Sequence, residues 1–89
     1  MNDTFNLIEN SIVNFQVLFL KYKNGTGVVS ERDIKPLALF FEQNEWKMIA
    51  FCQLRRKTRT FLLYRVESLE ATEKDFAPNQ FSLKEHFRN

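Results

Sequence analysis

The hydrophobic positions near the N-terminus recur with the spacing of a helix. Apolar side chains lie three or four residues apart at Phe5, Ile8, Ile12 and Phe15. This period places them on one face of a helix, and Asp3 or Thr4 can cap its first turn. We therefore predict an amphipathic helix over residues 4–15.

Beyond residue 15 the pattern changes to short β-prone runs separated by turns. It predicts five strands, at about residues 17–22, 28–35, 37–41, 46–53 and 59–69. The sequence K-N-G-T-G at 23–27 has the chemistry of a hairpin turn, and Pro36 marks a break or an edge position after the second strand because proline cannot donate to a ladder. Five short strands after one helix indicate a mainly β fold, a small antiparallel barrel.

The C-terminal residues have a helical pattern again. Within F-S-L-K-E-H-F at 81–87, Ser82 and Glu85 have the spacing of a capping box, which predicts a short C-terminal helix. The chain is long enough for one core but not for two. We therefore expect one domain at residues 1–76 and a tail at residues 77–89.

The predicted strands at 46–53 and 59–69 are apolar on both faces. Met48 and Ile49 fall on opposite sides of the first, with Trp46 on the side of Met48 and expected in the core. A barrel needs only its inner face apolar, so the N-terminal helix, the tail or a second subunit must cover the outer face. Arg59 and Arg65 share a face with core residues, so either they emerge at opposite ends of the strand or a bulge rotates one outward.

Charge is distributed unevenly along the chain. The formal net charge is only +2, but the segment from Trp46 to Val66 holds six Lys or Arg residues and no acid. The remaining residues carry seven cations and eleven acids. Such a segment attracts anions. Within it, the run Arg55-Arg56-Lys57 is interpreted first as a solvated turn and second as a set of ligand contacts.

Other classes of function find little support in the sequence. A lone cysteine, Cys52, cannot form an internal disulfide, and its apolar neighbours predict a buried thiol. No apolar run reaches the roughly 18 residues that span a bilayer, and the N-terminus lacks the pattern of a signal peptide. With His86 as the single histidine, we expect no metal, no cofactor and no enzymatic activity. We expect a cytoplasmic protein.

Several short motifs are specific when their order and spacing are taken together. The triplet Trp46-Lys47-Met48 is followed by a small residue and a cysteine at positions 50 and 52. Upstream, Tyr22 precedes the N-G-T-G turn and an R-x-x-x-P-L element begins at Arg32; downstream, residues 59–66 read R-T-F-L-L-Y-R-V. Over about residues 8–76 this order resembles the WYL domain of bacterial transcriptional regulators, with Lys47 in place of the tyrosine of the Trp-Tyr-Leu triplet.

The resemblance implies an Sm-like or SH3-like barrel that acts as a regulatory sensor, often of nucleic acid or a nucleotide. The ligand-binding positions that it implies are Arg59, Arg65, Arg32, Lys47 and Tyr22. It also implies a homodimer and a helix-turn-helix domain, which this chain does not contain, so we expect an excised sensor domain more than a stand-alone one. Lys47 removes an aromatic stacking surface and adds charge, which favours phosphate attraction over base stacking.

Two functions follow as hypotheses. The first is an effector-sensing domain that binds single-stranded nucleic acid or a nucleotide through its basic patch, with no membrane involved. The alternative is a dimerisation barrel without a ligand of its own. For that alternative, the apolar outward positions Leu62 and Tyr64 are the candidate interface, and Arg59 and Arg65 could pair with acids such as Glu31, Glu67 or Glu70.

Overall fold

The helix and the strands follow one another in an antiparallel sheet. The structure, a computed structural model, describes residues 3–76. Its elements are α1 (Asp3–Asn14), β1 (Gln16–Lys23), β2 (Val29–Glu42), β3 (Glu45–Cys52), β4 (Lys57–Leu62), a 3₁₀ helix (Leu63–Arg65) and β5 (Val66–Asp75). The predicted C-terminal helix at 81–87 lies outside the described residues.

The five strands form one sheet in the order β4-β3-β2-β1-β5, with antiparallel neighbours throughout. A mainly β fold with five antiparallel strands and an N-terminal helix is therefore confirmed. Strands β4 and β5 are the edges of the sheet, and within residues 3–76 no ladder joins them. Closure of the sheet into a barrel stays a prediction.

Strand β2 is one long element, although the sequence predicted a break at Pro36. Its first half pairs with β1 and its second half with β3, and Ile34 pairs with both, opposite Leu18 and Cys52. The register with β3 shifts between Pro36 and Ala38. The missing N–H of proline is thus accommodated by an irregularity in the ladder, and the strand continues.

The predicted strand at 59–69 is in fact two strands. The 3₁₀ helix Leu63–Arg65 separates β4 from β5. A 3₁₀ turn changes the direction of the chain within three residues, which the continuous apolar pattern of the segment does not reveal. The number of strands stays at five because the two strands predicted on either side of Pro36 are one.

The core lies on one face of the sheet and includes a side chain from the helix. Its buried members are Ile8, Leu18, Leu20, Ile34, Met48, Ala50, Cys52 and Phe61. Cys52 is therefore buried, as predicted. Trp46, which was expected in the core, is 41% exposed and packs at the edge of the fold between the rings of Phe5 and Phe41, at 4.9 and 5.3 Å.

The opposite face of β3 is covered as well. Ile49 is fully buried although it points away from Met48 and Ala50. At the end of β5, the N–H of Phe76 donates to Phe15 O at 2.7 Å, and its ring lies 5.9 Å from Lys35 Nζ on this outer face. The expectation that both faces of this strand are covered is confirmed.

Candidate anion-binding cleft

Four arginines line one open cleft of about 310 Å³ between β1, β2, β4 and the 3₁₀ helix. The lining residues that carry charge or aromatic rings are Tyr22, Arg32, Arg55, Arg59, Phe61 and Arg65. Tyr22, Arg32, Arg59 and Arg65 were singled out from the sequence, and the fold brings these four together. Arg55, which was interpreted first as part of a solvated turn, joins them.

Arg32 forms the floor of the cleft because its strand position faces the core. It pairs across the sheet with Leu20, a core residue, so the two side chains share a face. Its Nη1 donates to Cys52 Sγ at 3.4 Å, its Nη2 donates to Ser30 Oγ, and its guanidinium lies 5.9 Å from the centre of the Phe61 ring. None of these partners is a carboxylate, and no ion pair within residues 3–76 involves Arg32.

Arg59 and Arg65 reach the same cleft by different routes. Arg59 pairs with Ala50 across β3 and β4, and is half-buried on the core face. After Leu62 the 3₁₀ helix turns the chain and returns Arg65 to the cleft. Neither of the two arrangements expected from the sequence, opposite strand ends or a strand bulge, describes this geometry. The convergence of the two charges is a consequence of the turn.

Arg65 is held against the tyrosine that precedes it. Its Nη2 donates to Tyr64 Oη at 3.3 Å, and its guanidinium carbon lies 5.3 Å from the centre of that ring. This hydrogen bond raises the pKa of Arg65 above its ordinary value; desolvation opposes it, and weaker electrostatic contributions from Tyr64, Tyr22 and Glu45 add to it. Arg65 therefore stays charged at every physiological pH.

The loop between β1 and β2 borders the cleft and is ordered by one side chain. Asn24 Oδ1 accepts hydrogen bonds from Thr26 N at 2.9 Å, Thr26 Oγ1 at 2.8 Å and Val28 N at 3.0 Å. Gly27 adopts a φ of 88°, in the region that favours glycine. The rim is thus held by its own hydrogen bonds before any ligand arrives.

Tyr22 connects the two sides of the cleft. Its hydroxyl accepts a hydrogen bond from the N–H of Leu62 at 2.9 Å, and its ring packs edge-on against Phe61 at 5.0 Å. The last residue of β4 is thereby tied to β1 although the two strands are not neighbours in the sheet. The hydroxyl of Tyr22 is already hydrogen-bonded and its ring already packs against Phe61. Tyr22 therefore lines the cleft but is not a free surface on which a base could stack.

The cleft carries no negative charge of its own. Its lining contains no Asp or Glu, and the ion pairs within residues 3–76 are Lys47–Glu42 and Lys74–Asp33. None of the four arginines is therefore paired with a carboxylate in the described part of the chain. The Nε atoms of Arg32 and Arg65 are also buried without a hydrogen-bond acceptor.

The other sequence-derived candidates lie outside the cleft. Lys47 Nζ is 3.3 Å from Glu42 Oε1 and 3.0 Å from Gln43 Oε1, near the β2–β3 turn. Leu62 is half-buried on the edge strand β4, whereas Tyr64 is 65% exposed. Tyr64 also borders a second, shallower groove, together with Phe5 and Trp46.

Several residues of the cleft carried no clear signal in the sequence. Asn24, Ser30 and Thr60 are ordinary turn and strand residues, and the sequence distinguishes Arg55 from Arg56 in no way. The acid-free charge pattern did indicate the segment that supplies three of the four arginines. It could not indicate which side chains of the β3–β4 turn point inward, because that depends on the left-handed φ of 58° at Arg56.

The described residues lack two features that mark other functional classes. No group of three or more His, Cys, Asp or Glu side chains that could hold a metal ion occurs within residues 3–76. In the same range, no helix is long and apolar enough to cross a membrane.

Comparison with known proteins gives the family. The chain shares 34% sequence identity and a TM-score of 0.78 with the solved structure of proteasome accessory factor B/C (PafBC) of Arthrobacter aurescens. The match covers 82% of this chain but only 12% of the Arthrobacter protein. No curated protein sequence matches the chain significantly. The profile of the WYL domain matches residues 3–71, so the chain belongs to the WYL domain family, the regulatory sensing domains of transcription regulators.

Proposed function

We propose that this domain senses an anionic effector, single-stranded nucleic acid or a nucleotide, by binding its phosphates in the arginine-lined cleft. The observation that carries the proposal is the convergence of Arg32, Arg55, Arg59 and Arg65 on one concave site whose lining contains no acidic residue. A guanidinium group can donate two parallel hydrogen bonds to two oxygens of one phosphate. A concave site also strengthens the positive electrostatic field of the arginines that line it. In a longer regulator, occupancy of the cleft would bias one arrangement of domains over another.

The cleft favours phosphate contacts over base stacking. Phe61 is only 1% exposed because Arg32 and Tyr22 pack over it, and the hydroxyl of Tyr22 is occupied by Leu62. An aromatic face that binds a base must be open to it. The groups that the site offers to a ligand are thus mainly guanidiniums. We propose that the domain binds its ligand and assign it no catalytic step.

The proposal is tested with 3′-labelled oligodeoxynucleotides and oligoribonucleotides titrated at two salt concentrations. In the double variant Arg59→Gln, Arg65→Gln we expect a loss of affinity, and a slope of log affinity against log salt that is shallower by up to about 1.4 when two single-strand phosphate contacts are removed. The matched control is Lys21→Gln, Arg56→Gln, which removes the same charge from exposed positions outside the cleft lining. Equal losses in the two variants, or binding that ignores salt, would refute the proposal.

Self-association is a second candidate function, favoured by the edge of the sheet. Strand β4 is an edge strand, and Tyr64, 65% exposed, lies in the 3₁₀ helix that follows it. An edge strand beside an exposed aromatic ring is suited to pairing with the same edge of a second copy of this chain. Sedimentation of the wild type, of Leu62→Glu and of the more conservative Tyr64→Ser tests this candidate. A wild-type monomer at high concentration would remove it.

A further inference from the structure

The cleft holds more positive charge than an unbroken nucleic-acid strand can balance inside it. Its lining holds four guanidiniums and no carboxylate, and its volume of about 310 Å³ lies at the small end of ligand pockets. A strand carries one charge per nucleotide, so a passing strand would place on the order of one or two phosphodiester charges in so small a space. A group that concentrates charge on few atoms is the better match.

The hydrogen-bonding needs of the cleft point in the same direction. Arg32 Nε and Arg65 Nε are buried without acceptors, and a buried donor without an acceptor is costly. A phosphodiester offers two free oxygens, whereas a phosphate monoester offers three and carries about −1.5 to −2 charges near neutral pH. The monoester therefore supplies both more acceptors and more charge in one place.

We infer that the cleft prefers a terminal phosphate, either a monoester or a polyphosphate, over the internal phosphodiesters of a strand. The inference rests on the function proposed above and narrows its ligand class. Two sources present this chemistry: the phosphorylated end of a strand and a free nucleotide. The arginines recognise what the two share, so the domain distinguishes broken or processed ends from continuous nucleic acid.

The experiment compares one oligodeoxynucleotide sequence in three forms: without a terminal phosphate, with a 5′-phosphate, and with a 3′-phosphate. An internal fluorophore leaves both ends free. We expect at least one phosphorylated form to bind about tenfold or more tightly than the unphosphorylated form, as one or more additional charge-assisted hydrogen bonds would produce. Competition with pyrophosphate, a nucleoside monophosphate and a nucleoside triphosphate identifies the source.

The variants separate the failure of this inference from the failure of the proposed function. If all three strands bind equally and Arg59→Gln, Arg65→Gln abolishes that binding, the cleft binds phosphates but the preference for ends is refuted. If no strand binds while pyrophosphate or a nucleoside triphosphate does, the inference holds and the effector is a free nucleotide. If nothing binds, both are refuted.

The pH dependence provides an independent readout. A phosphate monoester loses its second proton with a pKa of about 6, so affinity for the phosphorylated strand should rise several-fold between pH 5.5 and 7.5. The titratable or charged groups around the site are Arg32, Arg55, Arg59, Arg65, Tyr22, Tyr64, Cys52 and Glu45, the last through its electrostatic effect on Arg65. The unphosphorylated strand, whose charge is constant in this range, controls for any titration of the protein. Parallel pH profiles for the two strands would contradict the inference.

Discussion

Gly25 leaves the space that the guanidinium of Arg65 occupies at the rim of the cleft. A Cβ at position 25 would lie 2.8 Å from Arg65 Nη1, closer than such atoms approach one another. The β1–β2 loop and the 3₁₀ helix, far apart in the chain, therefore meet through a residue without a side chain. The close approach positions one of the four charges of the cleft.

Gly25→Ala should displace Arg65 and weaken anion binding while leaving the fold intact. The atom that must move is the flexible end of a long side chain, so we expect little change in the free energy of unfolding. Gly27→Ala is the matched control, because its φ of 88° strains alanine but nothing lies near its Cβ. It should cost about 1 kcal/mol of stability without affecting affinity. Unfolding in urea measures the stability of both variants, and oligonucleotide titration measures their affinity. An unchanged affinity in Gly25→Ala would contradict the expected role of Gly25.

Arg55→Gln should weaken anion binding more than Arg56→Gln. The two residues are adjacent in the β3–β4 turn, but only Arg55 lines the cleft. Both substitutions remove one charge and keep a long polar side chain, so the two variants have the same net charge. Any difference in their affinities is therefore due to the position of the lost charge. Fluorescence titration at moderate salt compares them, because screening there suppresses long-range attraction. Equal affinities would show that the turn acts only through its overall field.

Tyr22→Phe should lower stability because it removes the acceptor for the N–H of Leu62. The lost hydrogen bond is partly buried, so we expect a cost of about 1 kcal/mol. Amide hydrogen exchange at Leu62 should accelerate as the end of β4 loosens. Tyr64→Phe is the control: its exposed hydroxyl accepts only from Arg65 among the described hydrogen bonds, and its loss should leave the free energy of unfolding unchanged.

Ile8→Ala should destabilise the domain strongly, because the helix contributes this side chain to the sheet core. Ile8 is fully buried, and truncation of such a residue costs about 2–5 kcal/mol. Val13→Ala, on the same helix but 71% exposed, should change stability by less than about 0.5 kcal/mol. Thermal unfolding of the two variants measures the contrast. Similar melting temperatures would mean that α1 does not dock as described.

Replacing Gln43-Asn44 by Asn-Gly should stabilise the β2–β3 hairpin. Both residues have left-handed φ values, 56° and 63°, the geometry of a type I′ turn. Asn-Gly is the preferred pair for this turn, and the gain should reach about 1 kcal/mol. The turn lies away from the cleft, so ligand affinity should not change. A lower melting temperature would show that the contact of Gln43 with Lys47 outweighs backbone strain.

The fold could be predicted from the sequence where a single period dominates. The helical spacing gave α1 to within one residue at each end, and the two-sided apolar pattern of β3 correctly indicated that both of its faces are covered. The errors at Pro36 and at Leu63–Arg65 have a common cause. A bulge and a 3₁₀ turn are set by pairing with distant strands, and neither leaves a periodic trace in the local sequence.

The sequence predicted which types of residue form the site better than it predicted which individual side chains meet there. The acid-free segment indicated an anion site, and Arg32, Arg59 and Arg65 do converge. Lys47 lies in the same segment, but the β2–β3 pairing places it beside Glu42. Arg55 and Arg56 are equivalent in the sequence, and only the backbone conformation of the turn separates them.

The unpaired arginines also make the empty domain less stable than it could be. Like charges confined to one concave surface repel each other, and the lining supplies no carboxylate to offset them. Substituting Arg59 by glutamine should therefore raise the melting temperature of the empty domain and weaken its binding of anions. Addition of an anion should raise the melting temperature of the wild type more than that of the variant. The same arginines that strengthen ligand binding therefore lower the stability of the empty domain, which is a trade-off between function and stability.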